Sequence, residues 1–72
     1  MENKILIAEL LKCALQQTAS QMDLTNIRIT NDGQHQELAV LEYDSDRSNV
    51  VVNINHDSGL MMIKDIINAV EL

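Results

Sequence analysis

The chain has 72 residues, a formal net charge of −6, one cysteine and no proline, and these values exclude several classes of protein. Its length fits one small domain over residues 1–72, its lone cysteine excludes an internal disulfide, and its charge disfavours binding to nucleic acid through a basic surface. A core of this size is weakly stabilised, so self-association or a partner is the expected supplement.

The sequence predicts a cytoplasmic protein without a cofactor. The longest nearly apolar run, residues 5–15, is interrupted by Glu9 and Lys12 and is far shorter than the roughly 20 residues that cross a membrane. No small-residue cleavage site follows this run, which argues against a secretory signal. The cysteine and histidines do not have the spacing of a structural metal site.

Residues 5–22 are predicted to form the first helix, because their apolar side chains recur at helical spacing. Cys13 lies at the edge of the apolar side, where a lone thiol is more often a small core residue than a nucleophile. The predicted helix has one broad buried face, which comprises Leu6, Ile7, Leu10, Leu11, Ala14 and Thr18.

Three strands are predicted next, at residues 26–30, 36–43 and 49–55, because apolar and polar residues alternate there. Asp32-Gly33 predicts a two-residue hairpin turn, since both turn positions favour φ > 0. That turn sets Arg28 opposite Glu37 and Ile27 opposite Leu38. With Val40 aligned on Val52, the predicted core face of the sheet consists of Ile27, Leu38, Val40, Val52 and Ile54.

A second helix is predicted over residues 60–70, with Asp57 or Ser58 as its N-cap. Its inward stripe is Met62, Ile63, Ile66 and Val70. The predicted fold is therefore α+β, in the order α-β-β-β-α, with a three-stranded antiparallel meander and both helices on one face.

The sheet face turned away from the helices contains the predicted interface. In the predicted register an aliphatic row crosses the strands, bordered by polar side chains, as in a small interface core. β-propensity alone is the alternative explanation for these positions. The candidate interface residues are Leu24, Ala39, Leu41, Tyr43 and Val51.

The order of elements resembles that of the double-stranded-RNA-binding domain. That family places a lysine-rich stretch at the start of its second helix to hold phosphates. Here Ser58, Gly59, Leu60, Met61, Met62 and Ile63 occupy these positions, and only Lys64 is basic. The resemblance implies a protein-binding or dimerising relative of that domain.

The leading hypothesis is a non-catalytic protein-interaction module that forms a homodimer or docks on another protein. No nucleophile, base and charge-stabilising group are recognisable together. One alternative is an acidic inhibitor or nucleic-acid mimic from a phage or mobile element, but its carboxylates should cluster, whereas here they are spread over every element. The other is an atypical double-stranded-RNA-binding-like domain.

Overall fold

The computed structural model describes residues 2–31, 33 and 35–70. It confirms the order α-β-β-β-α and the antiparallel sheet with strand order β1-β2-β3. Both helices pack on one face of this sheet and share one core with it. The elements are α1 (Glu2–Leu15), a 3-10 turn (Ala19–Gln21), β1 (Leu24–Asn31), β2 (Glu37–Tyr43), β3 (Val50–Asn53) and α2 (Gly59–Val70).

Helix α1 ends at Leu15, earlier than the periodicity of its apolar residues predicts. The backbone N–H of Thr18 donates to the Leu15 carbonyl at 2.9 Å, and its hydroxyl donates to the same oxygen at 2.7 Å. The Gln16 side chain donates to the Leu24 carbonyl at 2.8 Å. These local bonds satisfy groups at the helix end and turn the chain toward β1.

The predicted two-residue turn between β1 and β2 is wrong. Asn31 pairs with Glu37, so residues 32–36 form the connection. Gly33 does have a positive φ of 85°, and its N–H donates to the Asn31 side-chain oxygen at 3.0 Å. Asp32, the other predicted turn residue, lies outside the described residues. The Asp-Gly pair thus predicted where the chain turns between β1 and β2, but it did not predict the length of the connection.

This difference reverses the faces of β2. Ile27 pairs with Leu41 instead of Leu38, and an odd shift turns every side chain of a strand to the other face. In the second hairpin Val40 pairs with Val51 instead of Val52. Leu38 and Val40 were therefore assigned to the wrong face. The core side of the sheet consists of Leu24, Ile27, Ile29, Ala39, Leu41, Val50, Val52 and Ile54.

Helix α2 begins where its capping pattern predicts. The Ser58 hydroxyl accepts a hydrogen bond from the Met61 N–H at 3.2 Å, as an N-cap side chain does. Met62, Ile66 and Val70 are buried in the core, whereas Ile63 is only partly buried. The predicted inward stripe of α2 is thus confirmed for Met62, Ile66 and Val70. Ile63 lies at the edge of this stripe, between the two helices.

Candidate protein-docking surface

The outer side of the helix layer, which faces away from the sheet, carries a group of exposed apolar side chains. On α1, Leu6 and Leu10 are exposed over 62% and 73% of their surface, although both were predicted to be buried. On α2, Leu60 and Ile67 flank Ile63 at helical spacing and are also exposed. We call this surface the helix-layer patch, and it consists of Leu6, Ile7, Leu10, Ala14, Leu60, Ile63 and Ile67.

An open hollow of about 240 Å³ lies in the middle of this patch, between the two helices. The helices approach closely at one end, where a Cβ on Gly59 would meet the Ile7 Cδ1 atom at 2.5 Å. Further along α1 only Ile63 reaches across from α2 to line the hollow, beside the small side chain of Ala14. Ile7, Leu10 and Leu11 complete the lining, so the hollow offers almost purely apolar contacts.

The charged side chains of the two helices lie outside the patch. On α1, Lys12 forms an ion pair with Glu9 at 3.2 Å, and on α2 Lys64 is exposed. Cys13 is also exposed, so the prediction of a small core residue is wrong. No side chain of the patch itself carries a formal charge, and its chemistry therefore suits another apolar protein surface.

The interface predicted on the sheet does not form an exposed row. Leu24, Ala39 and Leu41 are almost fully buried beneath the helices, and Tyr43 is half-buried against the same core. Only Val51 is exposed, over 60% of its surface. The cause is the register: the predicted pairing put β2 with the wrong face toward the helices.

The outer face of the sheet is mixed in character. Arg28 lies at 3.8 Å from Glu42 as a loose ion pair across β1 and β2. Beside them, Leu38 is half-buried and Val40 is buried by its neighbours, since Val40 pairs with Arg28 on one side and Val51 on the other. The apolar strip here is narrow and lies next to charges.

A buried polar network closes one end of the sandwich. Gln21, only 3% exposed, accepts hydrogen bonds at its side-chain oxygen from the Tyr43 hydroxyl at 2.6 Å and from Arg47 at 3.2 Å. Its amide nitrogen lies 3.5 Å from the Val70 carbonyl oxygen that it donates to. Arg47 stacks over the Tyr43 ring at 3.6 Å and pairs with Asp23 at 3.2 Å. Because both polar groups of Gln21 are partnered, the network stabilises the fold and offers no free group to a ligand.

Charged groups gather at the opposite end. Lys4 donates to Glu37 at 2.7 Å and to the Ile54 carbonyl at 3.0 Å, and the hydrogen bond from Lys4 lowers the pKa of Glu37. Nearby, a hydrogen bond with Asp65, reinforced by burial, raises the pKa of Asp57. Among the described residues no group of three or more His, Cys, Asp or Glu side chains could hold a metal ion.

Comparison with protein-family models, curated proteins and solved structures finds no match to this chain. Neither helix, over the residues that the structure describes, is long and apolar enough to span a bilayer. The helix-layer patch is thus the feature that most needs a functional explanation. Its signal was present in the sequence, because the apolar arc of α1 from Leu6 to Leu15 is wider than a sheet of this size can cover.

Proposed function

We propose that this chain is a protein-interaction module that acts by docking through the helix-layer patch, without catalytic activity and without a cofactor. The observation that carries the proposal is the exposure of a contiguous, uncharged aliphatic surface around an open hollow. Such surfaces on small soluble domains are typical of binding sites. The proposed setting is the cytoplasm, where an exposed thiol such as that of Cys13 stays reduced.

The arrangement of charges favours docking over nucleic-acid mimicry. Among the described residues, acidic side chains form ion pairs with Lys4, Lys12, Arg28 and Arg47, which lie in different parts of the fold. A mimic needs its carboxylates free and concentrated on one surface. The start of α2 argues similarly against an RNA-binding role, because Leu60 and Met61 are exposed where phosphate-binding lysines would be required.

The proposal is tested by amine-reactive cross-linking in cells that express the chain. Lys64 is exposed and lies four residues from Leu60 and three from Ile67, so its amine should link to whatever docks on the patch. Leu10→Glu keeps a good helix former but puts a charge in the patch. Met22→Glu is the matched control, because Met22 is exposed over 71% and Leu10 over 73% of its surface but only Leu10 belongs to the patch.

We expect cross-linked complexes with the wild type and with Met22→Glu, and their loss with Leu10→Glu. Complexes that survive Leu10→Glu would place the binding surface elsewhere. An absence of cross-links at Lys64 in the wild type would refute docking through the patch.

A further inference from the structure

We infer that the occupant of the helix-layer patch is a second copy of this chain, related by a two-fold axis that passes between Leu10 and Ala14. The inference rests on the proposed function and names its partner. In this arrangement α1 packs antiparallel against α1 of the other copy, and the two sheets lie on the outside. The interface would be isologous, with the same surface contributed by both copies.

The helix-layer patch is complementary to itself in shape. Leu10 projects from α1 with 73% of its surface exposed, and the hollow lies directly beside it. An apolar cavity of about 150 Å³ accommodates a benzene molecule, so a hollow of about 240 Å³ has room for a leucine side chain. A two-fold axis inserts each Leu10 into the hollow of the other copy in a single operation.

The spacing along α1 sets the position of the axis. Leu10 and Ala14 are one helical turn apart and lie on the same side of the helix. When two such helices run antiparallel about the midpoint of this pair, Leu10 of each copy lies over Ala14 of the other. The large and small side chains then alternate across the interface, and the small one lets the helices approach.

The charge of the chain requires an uncharged contact between two copies. Two chains of net charge −6 repel each other, so a self-association surface has to be poor in charge. The patch meets this condition, because none of its side chains is charged, and the exposed charge beside it on α2 is that of Lys64. Residual repulsion is screened beyond about 8 Å at physiological salt. At the contact itself the uncharged patch offers a basic partner no carboxylate to pair with.

The size of the molecule is compatible with a stable interface between two copies. The molecule measures 32 × 23 × 19 Å, so a 32 × 23 Å side has about 700 Å², which is close to the roughly 800 Å² per partner that a standard stable interface buries. A partner that covers the helix layer would bury Leu6, Leu10, Leu60 and Ile67, which the sheet leaves exposed. A second copy therefore supplies the enlargement that so small a core needs.

The experiment uses single-cysteine proteins in a Cys13→Ser background. One carries Leu10→Cys and the other Ala14→Cys, and each is incubated with oxidised glutathione alone and as a mixture. A disulfide requires Cα atoms within about 7 Å. We expect the mixture to form interchain disulfides about tenfold faster than either protein alone, because the dimer raises the local thiol concentration. Met22→Cys mixed with Ala14→Cys is the control of equal exposure.

A second set of variants exchanges the sizes of residues 10 and 14 and tests the dimer without introducing cysteines at these positions. Leu10→Ala removes the projecting side chain, and Ala14→Leu fills the hollow, so each should weaken dimerisation about tenfold by sedimentation. The double variant exchanges the two features and should return the dissociation constant to within about threefold of the wild-type value. Both residues are strong helix formers, so α1 is retained in every variant.

The outcomes separate the inference from the proposed function. Preferential disulfides in the mixture together with rescue by the swap support the two-fold dimer. A wild type that stays monomeric at high micromolar concentration overturns it, while cellular cross-links to a different protein at Lys64 would leave the proposed function intact. A dimer without preferential disulfides and without rescue overturns the antiparallel arrangement.

Discussion

Aliphatic side chains of the helix layer lie in two opposite environments. Those that face the sheet are buried, whereas those of the helix-layer patch are largely exposed. The buried set includes Ala8, Leu15, Met62 and Ile66, and the exposed set includes Leu6, Leu10, Leu60 and Ile67. Hydrophobicity alone therefore does not distinguish residues that fold this chain from residues available to a partner.

The difference arises because a single sheet contacts only one side of the helix layer. Three strands spaced about 4.8 Å apart form a narrow layer, which covers one side of two helices that are each about 10 Å wide. Helix α1 carries apolar residues around a wider arc than that layer can bury. The excess remains on the outer side, where it forms the helix-layer patch.

The largest difference in stability is expected between two leucine truncations, one on each side of the helix layer. Leu41 is fully buried in the centre of the core, whereas Leu10 is exposed in the patch. We predict that Leu41→Ala lowers the free energy of unfolding by about 2–5 kcal/mol, because it leaves a cavity. Leu10→Ala should change it by less than about 0.5 kcal/mol at concentrations where the chain is monomeric. Urea unfolding monitored by circular dichroism measures both.

Equal losses in the two variants would contradict the distinction, since Leu10 would then belong to the folding core. Repeating the Leu10→Ala measurement at high protein concentration sharpens the test. A cost that appears only there assigns Leu10 to association.

Gln21 provides a second test on the buried side, because it is a polar residue that is buried with its hydrogen bonds made. Its side chain is partnered by Tyr43, Arg47 and the Val70 carbonyl. We predict that Gln21→Ala costs about 1–3 kcal/mol, since these buried groups lose their hydrogen-bond partner. The control is Gln17→Ala at an exposed position of the same segment. Thermal melting of both variants gives the result, and a Gln21→Ala protein as stable as the control would show that the network does not stabilise the fold.

The sequence allowed the order of elements and much of α2 to be predicted, because those features depend on local patterns. Ser58 as N-cap and the stripe of Met62, Ile66 and Val70 follow from capping and helical periodicity. The ends of α1 were less well predicted, because hydrogen bonds from Thr18 end the helix inside a continuing periodic pattern.

The register of β2 could not be predicted, and the predicted interface failed with it. Leu38, Ala39, Val40 and Leu41 are consecutive apolar residues, so the strand lacks the alternation that marks a core face. Either face of β2 could be buried as far as local pattern is concerned. Tertiary contacts are consistent with one register, in which Tyr43 points inward and its hydroxyl reaches Gln21.

Adjacent valines on β3 test that register with a smaller expected effect. Val52 is buried on the core side, and Val51 is exposed on the outer side. We predict that Val52→Thr costs about 1–2 kcal/mol, because it buries a hydroxyl in an aliphatic environment, and that Val51→Thr stays within about 0.5 kcal/mol of the wild type. Denaturant midpoints of the two variants decide the matter, and a larger loss for Val51→Thr would restore the opposite face assignment.

The smallest effect is expected at the charged end, where α1 and α2 both begin and the core meets solvent. The pKa of Asp57 is raised above its ordinary value of 3.8, first by the hydrogen bond with Asp65 and then by burial, against an opposing attraction to Lys4. Protonated Asp57 therefore stabilises the fold below about pH 3.8, and this contribution is lost as the pH rises through the raised pKa. Glu37 behaves in the opposite sense, because Lys4 lowers its pKa below 4.5 and its contribution is lost on acidification.

We predict that Asp57→Asn melts above the wild type at pH 7 and that the difference disappears toward pH 3.8, because the amide carries no charge to repel Asp65. Glu37→Gln is the control, and its deficit should be present at pH 7 and shrink as the pH falls through the lowered pKa of Glu37. The competing effect is the favourable interaction of a carboxylate with the N-terminus of α2. If Asp57→Asn melts below the wild type at pH 7, that interaction outweighs the repulsion from Asp65. The raised pKa indicates the opposite balance, since it reports that the charged form of Asp57 is the less stable one in the folded chain.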